Sequence, residues 1–466
     1  MISYKLRMTG SQHDALFHHL FPGDGKEAIS FALCGVGKYQ QEASEVSYAV
    51  AVNELFHIPY DQCIVREKDR VTWSSESLSD ILTKADKTGF IILKIHSHPG
   101  GYQDFSEIDN LSDSNLFPRI AEWLDSDFPG ISAVMLPDGS IFARAFNSSG
   151  EHTSVDSVLV SGPDIKFWKR ASLSEETDGQ FRKRTLQAFG QGTTSALSQL
   201  TIGIVGVSGT GSPVVEQLYR LGVGRIVLVD DDIVKEVNLG RIYNSSRKDA
   251  LEKKSKVDVL ADAIEHSGLP TKVERYIKKI FDEDVIRRLG QCDILFGCMD
   301  SVEGRDILNK ICIFYSIPYF DLGVKLSADG NGGVEQISGA VHYIQPDGSS
   351  LMNRGVYTAS TLSAEAMNRI NPETYKQLQK EGYLKGVLEE RPAVISVNTL
   401  LASIAVNDLL CRLHDVRLDS NESVDCIRVS LTNNTCFFEK CNENFEGSTY
   451  VGRGDMDPLL NTTFYS

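Results

Sequence analysis

No stretch of this sequence approaches the ~20 consecutive apolar residues that a membrane-spanning helix needs. Its opening, MISYKLRMTGSQHD, also lacks the apolar centre of a secretory leader. The expected address is therefore cytoplasmic, with no membrane as a partner. Cysteine is sparse: nine residues in 466, with no CxxC pair, argue against both a disulfide framework and a four-cysteine zinc knot. Most of these thiols are expected to be reduced and buried. Positive charge is scarce as well, since 47 Lys plus Arg face 63 Asp plus Glu for a formal charge of -16. A polyanion would be repelled and little counterion release gained, so no nucleic acid is expected as a partner. What remains is an ordinary globular balance of 41% apolar and 24% charged residues. At roughly 100 to 200 residues per domain, the length asks for two domains.

Up to about residue 146 the chain reads as short strands punctuated by helices, with apolar runs at Ala28–Cys34, Val46–Val52, Phe90–Ile95 and Ile131–Leu136. This predicts an α+β domain over residues 1–170. The polar stretch 171–180 has no apolar periodicity and is the expected linker. From 181 to 466 the pattern becomes strand, helix, strand, helix: LTIGIVG, a helix Ser212–Leu221, RIVLVD, and a helix from about Lys254 to Glu265. CDILFG and IPYFDLG follow as strands around a helix Val302–Tyr315. Such alternation implies parallel βαβ units, so the fold class is α/β multidomain, an α+β domain followed by a Rossmann-like doubly wound domain. A polar insertion at 345–392, with a helix Ser360–Ile370, precedes a long apolar helix Val394–Leu413 and a C-terminal extension 415–466. Insertions of that size are often functional.

The apolar strand FIILKIHSH ends in two histidines two residues apart. Side chains at i and i+2 of a strand share a face, so His96 and His98 can converge on one cation. Pro99 ends the strand, and Ser106 is a good N-cap with Asp109 three residues into the helix it starts. Two imidazoles and a carboxylate leave a fourth tetrahedral position for water, the catalytic way to hold zinc. Taken together, His96, His98, Pro99, Ser106 and Asp109 resemble the JAB/JAMM (MPN+) metalloprotease family. The resemblance implies Glu27, in KEAISFALCG, as the general base, with Glu42 and Glu45 as fallbacks. It implies further that Ser106 supports the tetrahedral intermediate, and that the substrate is a peptide or isopeptide bond after a ubiquitin-like C-terminus.

The second domain opens with a glycine loop, Gly206, Gly209 and Gly211, between strand and helix, where backbone can approach a phosphate and the helix N-terminus favours anions. Alone the loop fits a dinucleotide dehydrogenase equally well, with Asp230 on a ribose hydroxyl. Asn238 and Arg241 in EVNLGR, Lys256 in KSKVDVL and Asp300 after CDILFGCMD make the more specific pattern. In this order they resemble the ThiF/HesA/MoeB family, the adenylating fold of ubiquitin-activating enzymes. The resemblance implies ATP as substrate, held at Asp230, Asp232 and Asn238, with Arg241 and Lys256 neutralising phosphates and Asp300 holding magnesium. FRKRTLQAFG is similar to the family's arginine segment, which reaches into the other protomer of a homodimer, with Arg184 aligning best and Arg182 next.

Two departures from that family stand out. Its paired cysteines for structural zinc are missing, as is a thioester cysteine before the last long helix, where LEERPAVISVN offers Glu389, Glu390 and Ser396 but no thiol. Cys411, Cys426, Cys436 and Cys441 read as packing residues. The two resemblances together imply a bifunctional protein of a bacterial ubiquitin-like system, of a kind in some cases linked to antiviral defence. Its zinc-dependent peptidase trims or deconjugates the modifier, and its adenylating domain activates the modifier's C-terminal glycine. A β-grasp modifier and a conjugating-type carrier enzyme are the implied partners. Activation of a sulfur carrier, or an inactive modifier-binding scaffold, are the alternatives.

Overall fold

The computed structural model describes residues 2–42, 45–74, 76–128, 130–169, 180–328, 334–373, 375–376, 394–414, 416–441 and 448–462. The expected linker apart from Gln180, part of the insertion, and Glu389 and Glu390 lie outside the described residues. The chain forms two compact units, Met1–Ser174 with Ile313–Ser316 and Ser448–Asp457, and Glu175–Cys312 with Ile317–Gly447 and Pro458–Ser466. The expected C-terminal extension is thereby divided between them.

In the first unit the strands are β1 (Ile2–Thr9), β2 (Ile29–Glu42), β3 (Glu45–His57), β4 (Cys63–Arg66), β5 (Val71–Trp73), β6 (Ile91–Ser97), β7 (Gly130–Met135), β8 (Ile141–Phe146), β9 (His152–Ser154), β10 (Ser157–Ser161) and β11 (Ile165–Lys169). The helices are α1 (Gly10–Leu20), α2 (Glu76–Thr88) and α3 (Glu107–Leu124). Nine strands make one sheet in the order β11-β10-β1-β3-β2-β6-β7-β8-β9. Leu6, Met8 and Leu93 pack with Leu16 and Leu20 of α1, while Phe31 and Ile92 pack with Ile81 of α2 and Phe117 and Ile120 of α3. Apolar groups on both faces explain why β6 is buried along its whole length and reads as a nearly unbroken apolar run. The segment Ser448–Asp457 joins β2 through Gly35 N–H to the Gly452 carbonyl at 3.0 Å and Asp455 N–H to the Val36 carbonyl at 2.9 Å. A Cβ at Gly35 would lie 2.2 Å from the Arg453 backbone, so this approach requires glycine.

Lys94 interrupts the apolar run of β6, and its partner fixes α3. Lys94 Nζ lies 2.6 Å from Asp113 Oδ1, and Arg144 Nη2 of β8 lies 2.6 Å from Asp113 Oδ2. Asp113 is 0% exposed. Burial alone would raise its carboxyl pKa, but the Lys94 ammonium and hydrogen bonds from Lys94, Ser132 and Arg144 hold it below the usual range.

The second unit contains β12 (Thr201–Val205), β13 (Arg225–Val229), β14 (Lys272–Tyr276), β15 (Ile294–Gly297), β16 (Tyr319–Ala328), β17 (Val334–Ile344), β18 (Cys426–Ser430) and β19 (Thr435–Glu439). Its helices are α4 (Lys183–Gln199), α5 (Gly211–Arg220), α6 (Arg247–Leu251), α7 (Lys256–His266), α8 (Glu283–Leu289), α9 (Val302–Tyr315, which ends in the first unit), α10 (Ala359–Ile370) and α11 (Ile395–Leu413). The sheet order is β14-β13-β12-β15-β16-β17-β18-β19. The pairs from β14 to β16 are parallel and those from β16 to β19 antiparallel. β12 pairs with β13 on one side and β15 on the other, which makes the point where strand order reverses and where such sheets leave a crevice at the strands' carboxyl ends. No helix of the described residues is long and apolar enough to cross a membrane.

Asp113→Ala, which leaves two buried cations without their counter-ion, is expected to cost about 3 to 5 kcal/mol. The readout is the urea midpoint of the full chain followed by tryptophan fluorescence, since the Trp73 ring centre lies 5.3 Å from Lys94 Nζ. An unchanged midpoint would show that the cluster contributes nothing to stability.

Candidate functional site

Among the described residues, the motif side chains of the two units gather at two places, one in each unit. In the first, Lys94 and His96 alternate along β6 on the face toward α3, and Asp113 and Asp109 lie one turn apart on α3. The Lys94–Asp113 pair therefore places Asp109 opposite His96. Asp109 Oδ1 lies 3.0 Å from His96 Nε2 and Asp109 Oδ2 3.4 Å from His98 Nε2, while the two Nε2 atoms are 3.1 Å apart. The ligand atoms of His96, His98 and Asp109 all lie within 4.8 Å of one another, the only such group of three found among the described residues.

Burial and hydrogen bonding set the protonation of each candidate ligand separately. His98 Nδ1 bonds the Tyr102 carbonyl at 2.9 Å, which places the proton on Nδ1 and leaves Nε2 a lone pair for a metal. Burial pushes the His96 pKa down and favours the neutral imidazole. His98 is pulled down by burial too, but Asp109 and the Tyr102 carbonyl leave it raised overall. Asp109 feels burial in the opposite sense, yet hydrogen bonds from His96, His98 and Ser106 hold its carboxyl far below the usual range. Two imidazole nitrogens and an ionised carboxylate, three protein ligands in all, fit a catalytic zinc.

Ser106 caps α3. Its N–H and its hydroxyl both donate to Asp109 Oδ2, at 2.8 and 2.7 Å, so the hydroxyl orients the candidate ligand. Glu27 stands two residues before the start of β2, where Ile29 pairs with His96, and it is 6% exposed. Burial pushes its carboxyl up to about 8, with His98 opposing and Asp109 adding to the shift. The fallback Glu42 pairs with Glu45 at the far end of the same strand, which removes both from the histidines.

In the second unit, a cavity of about 460 Å³ opens at the carboxyl ends of β12, β13 and β15. Gly206, Gly209, Asp230, Asp232, Arg241, Lys256 and Asp300 all line it. Gly206 has φ +84, and a Cβ at Gly211 would stand 2.0 Å from the Gly206 carbonyl oxygen, so these glycines let α5 start directly against the strand end. Asp230 accepts from Val207 N–H at 2.9 Å and Asp232 N–H at 3.0 Å. Burial raises its pKa, against the pull of Lys256, whose Nζ lies 3.7 Å away and 2.6 Å from Asp232.

Asn238 and Arg184 do not reach that cavity. Asn238 Oδ1 accepts from Lys235 N–H at 3.0 Å, and its carbonyl accepts from Arg241 N–H, so it shapes the turn that presents Arg241. Arg184 is exposed near the start of α4, bonded to Gln187 of its own helix at 3.2 Å. Arg182 bonds the Gly222 carbonyl at 3.3 Å. Lys278, Arg305, Arg369 and Asn398 line the cavity without belonging to any motif read in the sequence. Asn398 is 1% exposed, and neither of its side-chain polar atoms has a partner among the described residues.

The packing role expected of the four cysteines fits the buried Cys426 and does not fit the exposed Cys436. Cys426 is buried on β18 and hydrogen-bonded to Cys441, and Cys436 is exposed. That bond, opposed by burial and aided by Arg354, lowers the Cys441 thiol to about 7. Burial raises Cys411, and Ser396 is exposed in the first turn of α11.

The model of the ThiF family matches residues 181–444. Among curated proteins, the chain is similar to "Ubiquitin-like modifier-activating enzyme 5" of Bombyx mori, 26% identical over 191 residues, which are 38% of this chain and 46% of that protein. It is also similar to "Adenylyltransferase and sulfurtransferase UBA4" of Meyerozyma guilliermondii, 28% identical over 158 residues, 33% of this chain and 36% of that one. The chain thus spans less than half the length of either relative. Among solved structures, E. coli MccB with ATP aligns at 17% identity and a TM-score of 0.42 over 58% of this chain and 74% of its own.

Cys441 is expected to be the fast-alkylating member of its pair, because the thiolate that reacts forms as pH rises through about 7. Iodoacetamide labelling mapped by mass spectrometry should show its rate half-maximal near that pH and well ahead of Cys426 and Cys411. A half-point in the ordinary thiol range would refute this.

Proposed function

The chain belongs to the ThiF family, and from that premise we propose that its second unit adenylates the C-terminal carboxylate of a ubiquitin-like β-grasp protein. The observation that carries the reading is the convergence of Asp230, Arg241, Lys256 and Asp300 on one cavity beside the start of α5. In this reading Asp230 accepts a ribose hydroxyl of the substrate ATP, and the Gly206–Gly209 loop with the amino end of α5 receives its phosphates. Arg241 and Lys256 neutralise the phosphates. A carboxylate oxygen of the modifier forms a bond to the α-phosphorus as the bond to pyrophosphate breaks. Magnesium, which Asp300 would hold, supplies charge compensation for that departure. Arg184, too remote for its own cavity, acts in that of a second copy, making a homodimer part of the proposal. The route onward from the acyl-adenylate is a carrier enzyme's thiol. A sulfur carrier in place of a modifier is the second reading, favoured by the similarity to a sulfurtransferase.

For the first unit we propose a zinc-dependent peptidase of the JAB/JAMM type that trims or deconjugates the same modifier. It is supported by the His96, His98 and Asp109 donor set and by a buried carboxyl beside it. Zinc at these residues supplies a Lewis acid and acidifies water. Glu27 takes the proton of the attacking water and gives it to the leaving amine, and Ser106 keeps Asp109 in place.

Metal analysis of the full chain should find about one zinc, lost when His96 and His98 are both changed to Ala. Glu27→Gln should keep the metal while cleavage after Gly-Gly falls ~100-fold or more. Zinc retained by the double variant would overturn the site, and undiminished cleavage by Glu27→Gln would overturn the base. For the second unit, ATP–pyrophosphate exchange should require magnesium and the modifier, and Asp300→Ala should abolish it. Mixing Arg184→Ala with Asp300→Ala chains should restore part of it. No recovery despite subunit exchange would place the whole site in one chain.

A further inference from the structure

The helix α11 buries Val397, Leu401, Ala402 and Ala405, and Asn398 lies on that same buried stripe. An amide at such a position is out of pattern, and a buried amide ordinarily has partners. Here neither Nδ2 nor Oδ1 has one among the described residues. The side chain lies against the glycine loop, since a Cβ at Gly209 would stand 2.5 Å from Asn398 Nδ2 and 3.3 Å from Arg241 Cδ. Arg241 Nε is likewise buried without a partner. α11 is a 19-residue helix whose N-cap, Val394, makes no side-chain capping bond. Val397 and Asn398 N–H both donate to the Val394 carbonyl, so Asn398 stands in the first turn, at the positive end of the helix dipole. Two side-chain donors, from Asn398 and Arg241, thus border one spot in the cavity, while the carboxylates of Asp230 and Asp300 sit at the ends of β13 and β15.

We propose that Asn398, in the first turn of α11, and Arg241 form an oxyanion site over Gly209, which takes a phosphate oxygen of the nucleotide or the carboxylate of the acyl substrate. The inference rests on the adenylation reading and adds to it a donor from a helix far along the chain from the phosphate loop. The amide binds without neutralising charge, leaving that to Arg241 and Lys256. It orients one oxygen, which is what an in-line displacement at the α-phosphorus needs.

The test compares Asn398→Leu and Asn398→Asp, near-isosteric changes that delete the donor or replace it with a negative charge, in the full chain. Calorimetry measures binding of magnesium with the non-hydrolysable analogue AMP-CPP, of adenosine, and of a peptide ending in Gly-Gly as free acid or amide. At least a 10-fold weaker AMP-CPP affinity in both variants, worse for Asn398→Asp, with adenosine unchanged, supports the site and identifies phosphate as its ligand. Unchanged AMP-CPP with weaker binding of the free-acid peptide, and no change for the amide, supports it with the carboxylate as ligand. Unchanged affinity for every probe in Asn398→Leu overturns it, as does an equal loss for adenosine, which would mark a collapsed cavity. Should the wild-type chain bind no AMP-CPP, the adenylation reading itself fails. Exchange that Asp300→Ala abolishes and Asn398→Leu leaves intact sinks the oxyanion site alone.

Discussion

A strand buried on both faces has no room for an unpaired polar side chain, and the placement of both clusters follows from that constraint. β12, β13 and β15 are buried over nearly their whole lengths. Their chemistry therefore begins where they end, at Gly206, Asp230 and Asp300. β6 does carry polar groups, Lys94 and His96, inside its buried span. Each is answered by a carboxylate from α3, Asp113 for the first and Asp109 for the second. The ion cluster and the candidate metal ligands are thus consecutive rungs of one ladder, and the first holds the second in register.

The same logic separates residues that touch a substrate from residues that aim others. Ser106 spends both its donors on Asp109, and Asn238 closes the turn beneath Arg241. Each belongs to a motif, and each has its side chain engaged within its own turn. Asn398 is the reverse, in no motif and with both polar atoms unspent.

The sequence made the local elements legible because their periodicity is strong. The helix Val302–Tyr315 has the expected bounds, and α7 begins two residues after the expected start. The histidine pair and the glycine loop were equally plain, since their chemistry is carried by residues close together in the chain. The antiparallel half of the second sheet was not. β16 runs on to Ala328 and β17 occupies Val334–Ile344, just before the polar stretch taken as an insertion, and neither shows clean alternation. Long-range pairings were hidden for a similar reason: a hairpin of β18 and β19 brings Cys426 to Cys441, and a helix of apolar appearance delivers Asn398 to a loop 189 positions earlier. No pattern within a short window encodes either meeting.

The strap at Ser448–Asp457 bears on the order in which the chain can finish folding. Its backbone joins β2 in the first unit, where Gly35 admits it. A ribosome delivers the strands of that unit well before the strap, with every strand of the second sheet between them, so the unit must wait for its closing piece until the second unit has been made. During that interval the Gly35 N–H and Val36 carbonyl lack their native partners. A chain cut at the expected linker would keep the whole sheet of the first unit and still lack the segment that completes it.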